Sequence, residues 1–190
     1  MTGVILSGGK NRRMGENKAF VTVDGERLID RAVRLFRSVF DEVIIVTAQP
    51  ADYLDQKAVI VTDILPDRGA LGGIYTGLFW SRGEQAFFAA CDMPFLNRAF
   101  LEYMIRQAPG YDIVVPACAD GPQPLHAVYS RRCLPVIRGL LDKQRLKITG
   151  FYPGHSLLTI PPEAVRSFDP DGRMFINVNT PEELRNLPGR

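Results

Sequence analysis

Short apolar runs recur along the chain with helix-patterned stretches between them, and this alternation restricts the fold more than any other feature. Residues 4–6, 43–46, 59–61, 86–90 and 113–115 are such runs, as expected of strands buried on both faces of a parallel sheet. Between the first two, Leu28, Ile29, Ala32, Val33, Phe36, Val39 and Phe40 fall at three- and four-residue spacing, with Asp30, Arg31, Arg34 and Arg37 off the stripe. That is the pattern of an amphipathic crossover helix. A second helix is predicted from near Gly72 through Leu78 towards Ser81, with Phe79 and Trp80 packing it on the sheet. A third covers residues 98–107, after the Met93-Pro94 turn. The expected fold is α/β, a doubly wound, mostly parallel sheet with right-handed crossovers.

After Pro116 the rhythm changes. Ala119-Asp120-Gly121-Pro122 is dense in turn formers, and residues 125–129 read as another strand, so a small antiparallel, hairpin-like insertion is predicted. A helix near 134–141, a strand near 147–152 and a proline-flanked stretch through Pro162 lead to Phe175-Ile176-Asn177-Val178-Asn179, read as a strand. A final helix is expected from Pro181, with Thr180 as cap and Glu182 and Glu183 in its first turn.

At 190 residues one domain spanning 1–190 suffices. A net charge of +2 is too small for a polyanion-coating surface, which disfavours nucleic acid as the principal partner. Cys91, Cys118 and Cys133 are odd in number and widely spaced, so neither a disulfide framework nor a zinc site is indicated. No signal-peptide pattern opens the chain, and no apolar stretch approaches the ~20 residues of a membrane span. The expectation is a cytoplasmic protein with no membrane anchor.

The cations concentrate locally. Gly8 and Gly9 follow the first apolar run directly, and Lys10, Arg12, Arg13, Gly15 and Lys18 come next. Glycines past a buried strand let backbone N–H groups approach a polyanion, and the cations neutralise it, so the segment reads as a triphosphate cradle. It is not a Walker A loop, because no Lys-Ser/Thr pair follows Gly15, and Gly8-Gly9 has the wrong spacing for a dinucleotide fingerprint. The bland alternative is a basic, glycine-rich surface turn.

In open α/β sheets, ligands bind past the carboxyl ends of the strands. Ser7, Gly8 and Gly9 fall there after the first strand, Asp63 after the third, and Cys91-Asp92-Met93-Pro94 after the fourth. Asp92 is the candidate metal ligand, its bland alternative being a helix cap before Phe95-Leu96-Asn97. Attack on an α-phosphate needs charge neutralised on the non-bridging oxygens and on departing pyrophosphate. Mg²⁺ held by one or two carboxylates does this, with Lys18 and Arg13 adding fixed positive charge. Catalysis is then positioning and electrostatics, with Lys18, Arg13 and Asp92 as its residues.

The chain resembles the molybdenum cofactor guanylyltransferase (MobA-type) family of nucleotidyltransferases. The resemblance runs through Leu6-Ser7-Gly8-Gly9 with Arg13-Met14-Gly15 and Lys18, and through Leu71-Gly72-Gly73-Ile74. It continues in Cys91-Asp92-Met93-Pro94, Pro124-Leu125-His126-Ala127-Val128-Tyr129 and Asn177-Val178-Asn179-Thr180-Pro181-Glu182-Glu183-Leu184. It implies a Rossmann-like nucleotidyltransferase fold. It also implies GTP over Leu6, Ser7, Gly8 and Gly9, with Lys18 on its phosphates, Asp63 and Asp92 completing the site, and Asp92 holding Mg²⁺. A molybdopterin-side surface of Arg13, Gly69, Gly73, Arg145, Asn177 and Asn179 is implied as well. The acceptor is then molybdenum-molybdopterin, whose phosphate attacks the α-phosphorus of GTP. Molybdopterin-synthesis proteins and recipient molybdoenzymes are implied as partners.

Related cytidylyltransferases tend to carry Leu-Ala-Ala-Gly where this chain has Leu-Ser-Gly-Gly. The missing Cβ at Gly8 leaves room for a purine, a preference of ~1–3 kcal/mol for a single methyl. Thr47 and Gln49 stand where the family often places Asn and are left unassigned. His126 is expected to be packed and His155 exposed, and no Ser/His/Asp or Cys/His arrangement is present. The rivals are a cytidylyltransferase for the same pterin, a sugar- or polyol-phosphate nucleotidyltransferase, and a non-catalytic carrier of the pterin cofactor.

Overall fold

Every residue of the first strand, Thr2–Ser7 (β1), is buried, because it lies inside the sheet with a parallel neighbour on each side. The computed structural model describes residues 1–8, 18–23 and 25–178. Of the expected site residues, Gly9, Arg13 and Asn179 lie outside the described residues, as does the helix expected from Pro181. After β1 come β2 (Thr22–Val23), β3 (Glu26–Arg27), α1 (Leu28–Arg37), β4 (Glu42–Thr47), β5 (Val59–Val61), α2 (Gly69–Trp80), β6 (Gln85–Ala90) and α3 (Arg98–Gln107). Then follow β7 (Ile113–Cys118), β8 (Gly121–Pro122), β9 (His126–Ser130), α4 (Leu134–Asp142), β10 (Leu157–Ile160) and α5 (Pro162–Phe168).

The strand order is β10-β7-β9-β6-β1-β4-β5, with β8 paired to β7 and β2 with β3 as a separate small antiparallel sheet. β1, β4, β5 and β6 run parallel, and β10 runs parallel to β7. Only β9 is reversed within the path, pairing antiparallel with both β6 and β7. The reversed strand is therefore built into the sheet, and the expected peripheral insertion reduces to the β7–β8 hairpin. The sheet divides two cores. Ile5 and Ile45 face α1, α3 and α5, while Val4, Leu6, Ile44 and Val46 face α2 and α4, as strand alternation requires.

Helix α2 lies close to the sheet because its inner face is glycine. A Cβ at Gly73 would stand 3.1 Å from Leu6 Cδ2, and one at Gly77 would stand 2.7 Å from both Phe88 Cε1 and Val4 Cγ1. Phe79 and Trp80 are consequently on the outside, 48% and 52% exposed, rather than packed on the sheet as the sequence suggested. Gly77→Ala should cost about 1–3 kcal/mol by overpacking. Gly139→Ala, where a Cβ meets nothing within 4 Å, should stabilise by about 0.5–1 kcal/mol through helix propensity. Urea unfolding of the two variants checks the opposite signs.

Two further expectations are corrected. Residues 148–151 form a 3-10 turn, closed by Gly150 N–H to Lys147 O and Tyr152 N–H to Thr149 O, not a strand. Its Phe151 is fully buried against Tyr129, and the edge of β7 is taken by β10, which the sequence did not reveal. Residues 175–178 are likewise not a strand; they cross the tip of β6, where Val178 N–H donates to Asp92 O at 2.8 Å.

Candidate active site

At the carboxyl end of β1, Ser7 and Gly8 lie between the ends of β4 and β6. Gly8 is exposed, and a Cβ there meets nothing within 4 Å among the described residues. Ser7 is 6% exposed and its hydroxyl is bonded to Tyr53 Oη at 2.6 Å. Ser7 therefore presents backbone, not a hydroxyl, to a ligand. Leu6, 8% exposed, packs under α2. Thr47 pairs with Ser7 across the β1–β4 ladder, and its hydroxyl accepts the Gln49 amide at 3.2 Å, a local turn role.

Asp92 lies two residues past β6. The Cys91 amide continues the ladder to Leu6 O at 3.0 Å, and Val178 holds the Asp92 carbonyl from the other side. The carboxylate Oδ1 is buried with no hydrogen-bond partner among the described residues. Burial pushes the Asp92 carboxyl above the usual carboxylate range, and the positive charge of Lys18 acts against that shift. Asp92 is not the cap of α3. Asn97 fills that role, its Oδ1 accepting the Phe100 amide at 3.1 Å.

Asp63 follows β5 and has the same character, with a buried, unpartnered Oδ1 and a carboxyl pushed upward by burial. The Thr76 hydroxyl of α2 fixes the neighbouring Ile64 amide at 3.1 Å. Three strand spacings separate the ends of β6 and β5, about 14 Å. The two carboxylates thus flank the tip of β1 from opposite sides. Among the described residues no three His, Cys, Asp or Glu side chains gather as a metal cage. A single orphaned carboxylate fits Mg²⁺ of the kind that completes its shell with phosphates and waters.

On the acceptor side, Asn177 is exposed beside the fully buried Val178, so the hydrogen bond to Asp92 O brings it to the site. Gly69, with φ +58°, starts α2 at the same end of the sheet. Arg145 follows α4, its amide donating to Leu140 O at 2.9 Å, with its side chain exposed. Gly73 is buried where α2 packs on Leu6. The side chains of Tyr53 and Cys91, which lie under this floor, were not anticipated. No local pattern could have joined residues 7 and 53.

A family model described as the MobA-like NTP transferase domain matches residues 3–152. The chain belongs to the MobA-like NTP transferase family. Within that family it is 45% identical over 97% of its length to the molybdenum cofactor guanylyltransferase of Desulfosudis oleivorans, covering 92% of that protein. It is 37% identical to the probable molybdenum cofactor guanylyltransferase of Pelotomaculum thermopropionicum, over 96% of this chain and 89% of that one. The crystal structure of molybdopterin-guanine dinucleotide biosynthesis protein A from Archaeoglobus fulgidus superposes with a TM-score of 0.82 at 27% identity, covering 97% and 95% of the two chains. As a MobA-like NTP transferase the chain is an enzyme, a nucleotidyltransferase, and the mostly parallel sheet is the expected architecture. Among the described residues no helix is long and apolar enough to cross a membrane.

Proposed function

We propose that the chain transfers GMP from GTP to the phosphate of molybdenum-molybdopterin in the cytoplasm, releasing pyrophosphate and forming the guanine dinucleotide cofactor. The observation that carries nucleotidyl transfer is Asp92: a carboxylate oxygen buried at the tip of β6 with no hydrogen-bond partner among the described residues, under the positive charge of Lys18 and beside the exposed Gly8. The choice of guanine and of the pterin acceptor is supported by the names of the two relatives.

An acceptor phosphate oxygen attacks the α-phosphorus, the bond from that phosphorus to the α–β bridging oxygen breaks, and pyrophosphate departs. The Gly8 backbone lets the triphosphate approach β1, and Lys18 neutralises charge on it. Asp92 would hold Mg²⁺, which supplies further neutralisation of the α-phosphate and leaving group. Gly69, Arg145 and Asn177 line the acceptor side. No covalent enzyme intermediate is required, so positioning and electrostatics supply the rate.

Pyrophosphate release measured side by side with GTP, CTP and ATP, in Mg²⁺ and molybdenum-loaded molybdopterin, tests this. Clear GTP preference is expected, and equal use of CTP would refute the role of Gly8. Because a methyl at position 8 meets open space, Gly8→Ala should melt like the wild type. Its kcat/KM for GTP relative to CTP should fall by roughly 10–100-fold.

A further inference from the structure

Tyr53 is fully buried in the 3-10 turn Pro50–Tyr53 after β4, 46 residues from Ser7. It touches the described residues on either side of the glycine segment. Its hydroxyl bonds the Ser7 hydroxyl at 2.6 Å, one residue before the chain leaves the tip of β1 at Gly8. Its ring lies 5.2 Å from the ring of Phe20, in the 3-10 turn Lys18–Phe20 where the chain returns.

The Tyr53 turn is itself anchored. Arg27 pairs with Asp30 at 2.7 Å and with Asp55, Gln56 donates to Asp30 at 2.8 Å, and the Arg27 guanidinium lies 5.4 Å over the Phe20 ring. Ala19, between Lys18 and Phe20, is fully buried in the core that holds Tyr53.

We propose that Tyr53 is a positioning residue for the nucleotide cradle, fixing the end of β1 through Ser7 and the return of the chain through Phe20, so that Gly8 and Lys18 are held against Asp92. The proposal rests on the reading of this site as a triphosphate site. Tyr53 touches no substrate; it acts through Ser7 and Phe20. A buried hydroxyl pair of this kind has one geometry, and losing either member leaves the other buried without it.

The test compares Tyr53→Phe, which keeps the ring on Phe20, with Ser7→Ala and with the double variant. In each single variant KM for GTP should rise about tenfold with kcat within about twofold, because the reacting groups remain while the cradle loosens. The double variant should be no worse than either single, the signature of one shared contact. In the free protein, amide exchange over residues 18–23 should be at least threefold faster in Tyr53→Phe, with β6 and β7 unaltered. Unchanged KM, additive effects of the two substitutions, or a uniform loss of kcat that follows the unfolded fraction would each overturn the proposal. If the wild type does not use GTP, the proposed function fails, and the exchange measurement still decides the role of Tyr53.

Discussion

Asp92→Asn is expected to reduce pyrophosphate release roughly a thousandfold while raising the melting temperature by about 2–4 °C. The two effects have one cause. The native state buries the Asp92 Oδ1 without a hydrogen-bond partner among the described residues, a cost to the charged form that Lys18 offsets only in part. A carboxyl raised above its unfolded value is stabilising when protonated, and that stability is lost as pH rises through the folded value. Asparagine keeps the shape and removes the charge, so about 1 kcal/mol should return, which for a chain of this size is the stated shift. Asp63→Asn should give a similar stabilisation, since burial raises that carboxyl for the same reason. Thermal melts and the pyrophosphate assay on both variants check this. An Asp92→Asn protein that still turns over, or one that melts several degrees lower, would show that the carboxylate serves the fold and not the reaction.

This pairing of cost and use was partly legible in the sequence. Residue runs buried on both faces gave β1, β4, β6 and β7 directly, since such a strand leaves no polar face to confuse the pattern, and the short apolar run at 59–61 gave β5, the edge strand on which Val59 is exposed. The placement of Asp92 follows from them, because the residue after such a run must emerge at the carboxyl edge. What escaped was set by contacts distant in sequence. β10 is four residues long and pressed against Pro161 and Pro162; its place is decided by the free edge of β7. Ile148, Phe151 and Tyr152 suit a strand in isolation, yet Phe151 sinks into the α2–α4 core and the Tyr152 hydroxyl meets that of Tyr129 at 3.0 Å, which a turn allows. Phe79 and Trp80 misled because large apolar residues were assumed to face the sheet, whereas Gly73 and Gly77 are what let α2 approach it.

Residues 175–178 show how the core on the α1, α3 and α5 side serves the site. His126, expected to be packed, is fully buried on β9. Its ring is stacked with Phe100 at 5.6 Å and edge-on to Phe87 and Phe175 at 5.0 and 5.2 Å. Phe175 stands three residues before Val178, whose amide holds the Asp92 carbonyl. The imidazole thus sits beneath the strap whose Val178 amide holds the Asp92 carbonyl, and disturbance of its packing passes to Asp92 through three residues.

Acidification should therefore unfold the protein early, and His126→Phe should delay it. Neither ring nitrogen has a hydrogen-bond partner among the described residues, and burial pulls the imidazole down to about 3. The unfolded chain binds a proton on His126 near pH 6.5, so between 6.5 and 3 it carries more protons than the native state and stability falls with pH. The loss approaches 1.4 kcal/mol per pH unit, about 2 kcal/mol by pH 5. Carboxylates held low by partners, such as Asp30 and Asp112, lose their contribution only as pH drops through and below the ordinary carboxylate range, and Asp63 and Asp92, raised by burial, act in the opposite sense, so the destabilisation on approach to that range comes from His126. Phenylalanine suits the same aromatic surroundings and takes up no proton. Denaturant midpoints should fall more from pH 7 to 4.5 for the wild type than for His126→Phe, the difference between the two profiles being the contribution of His126. Parallel slopes for the two proteins would mean that the buried imidazole finds a partner and titrates normally.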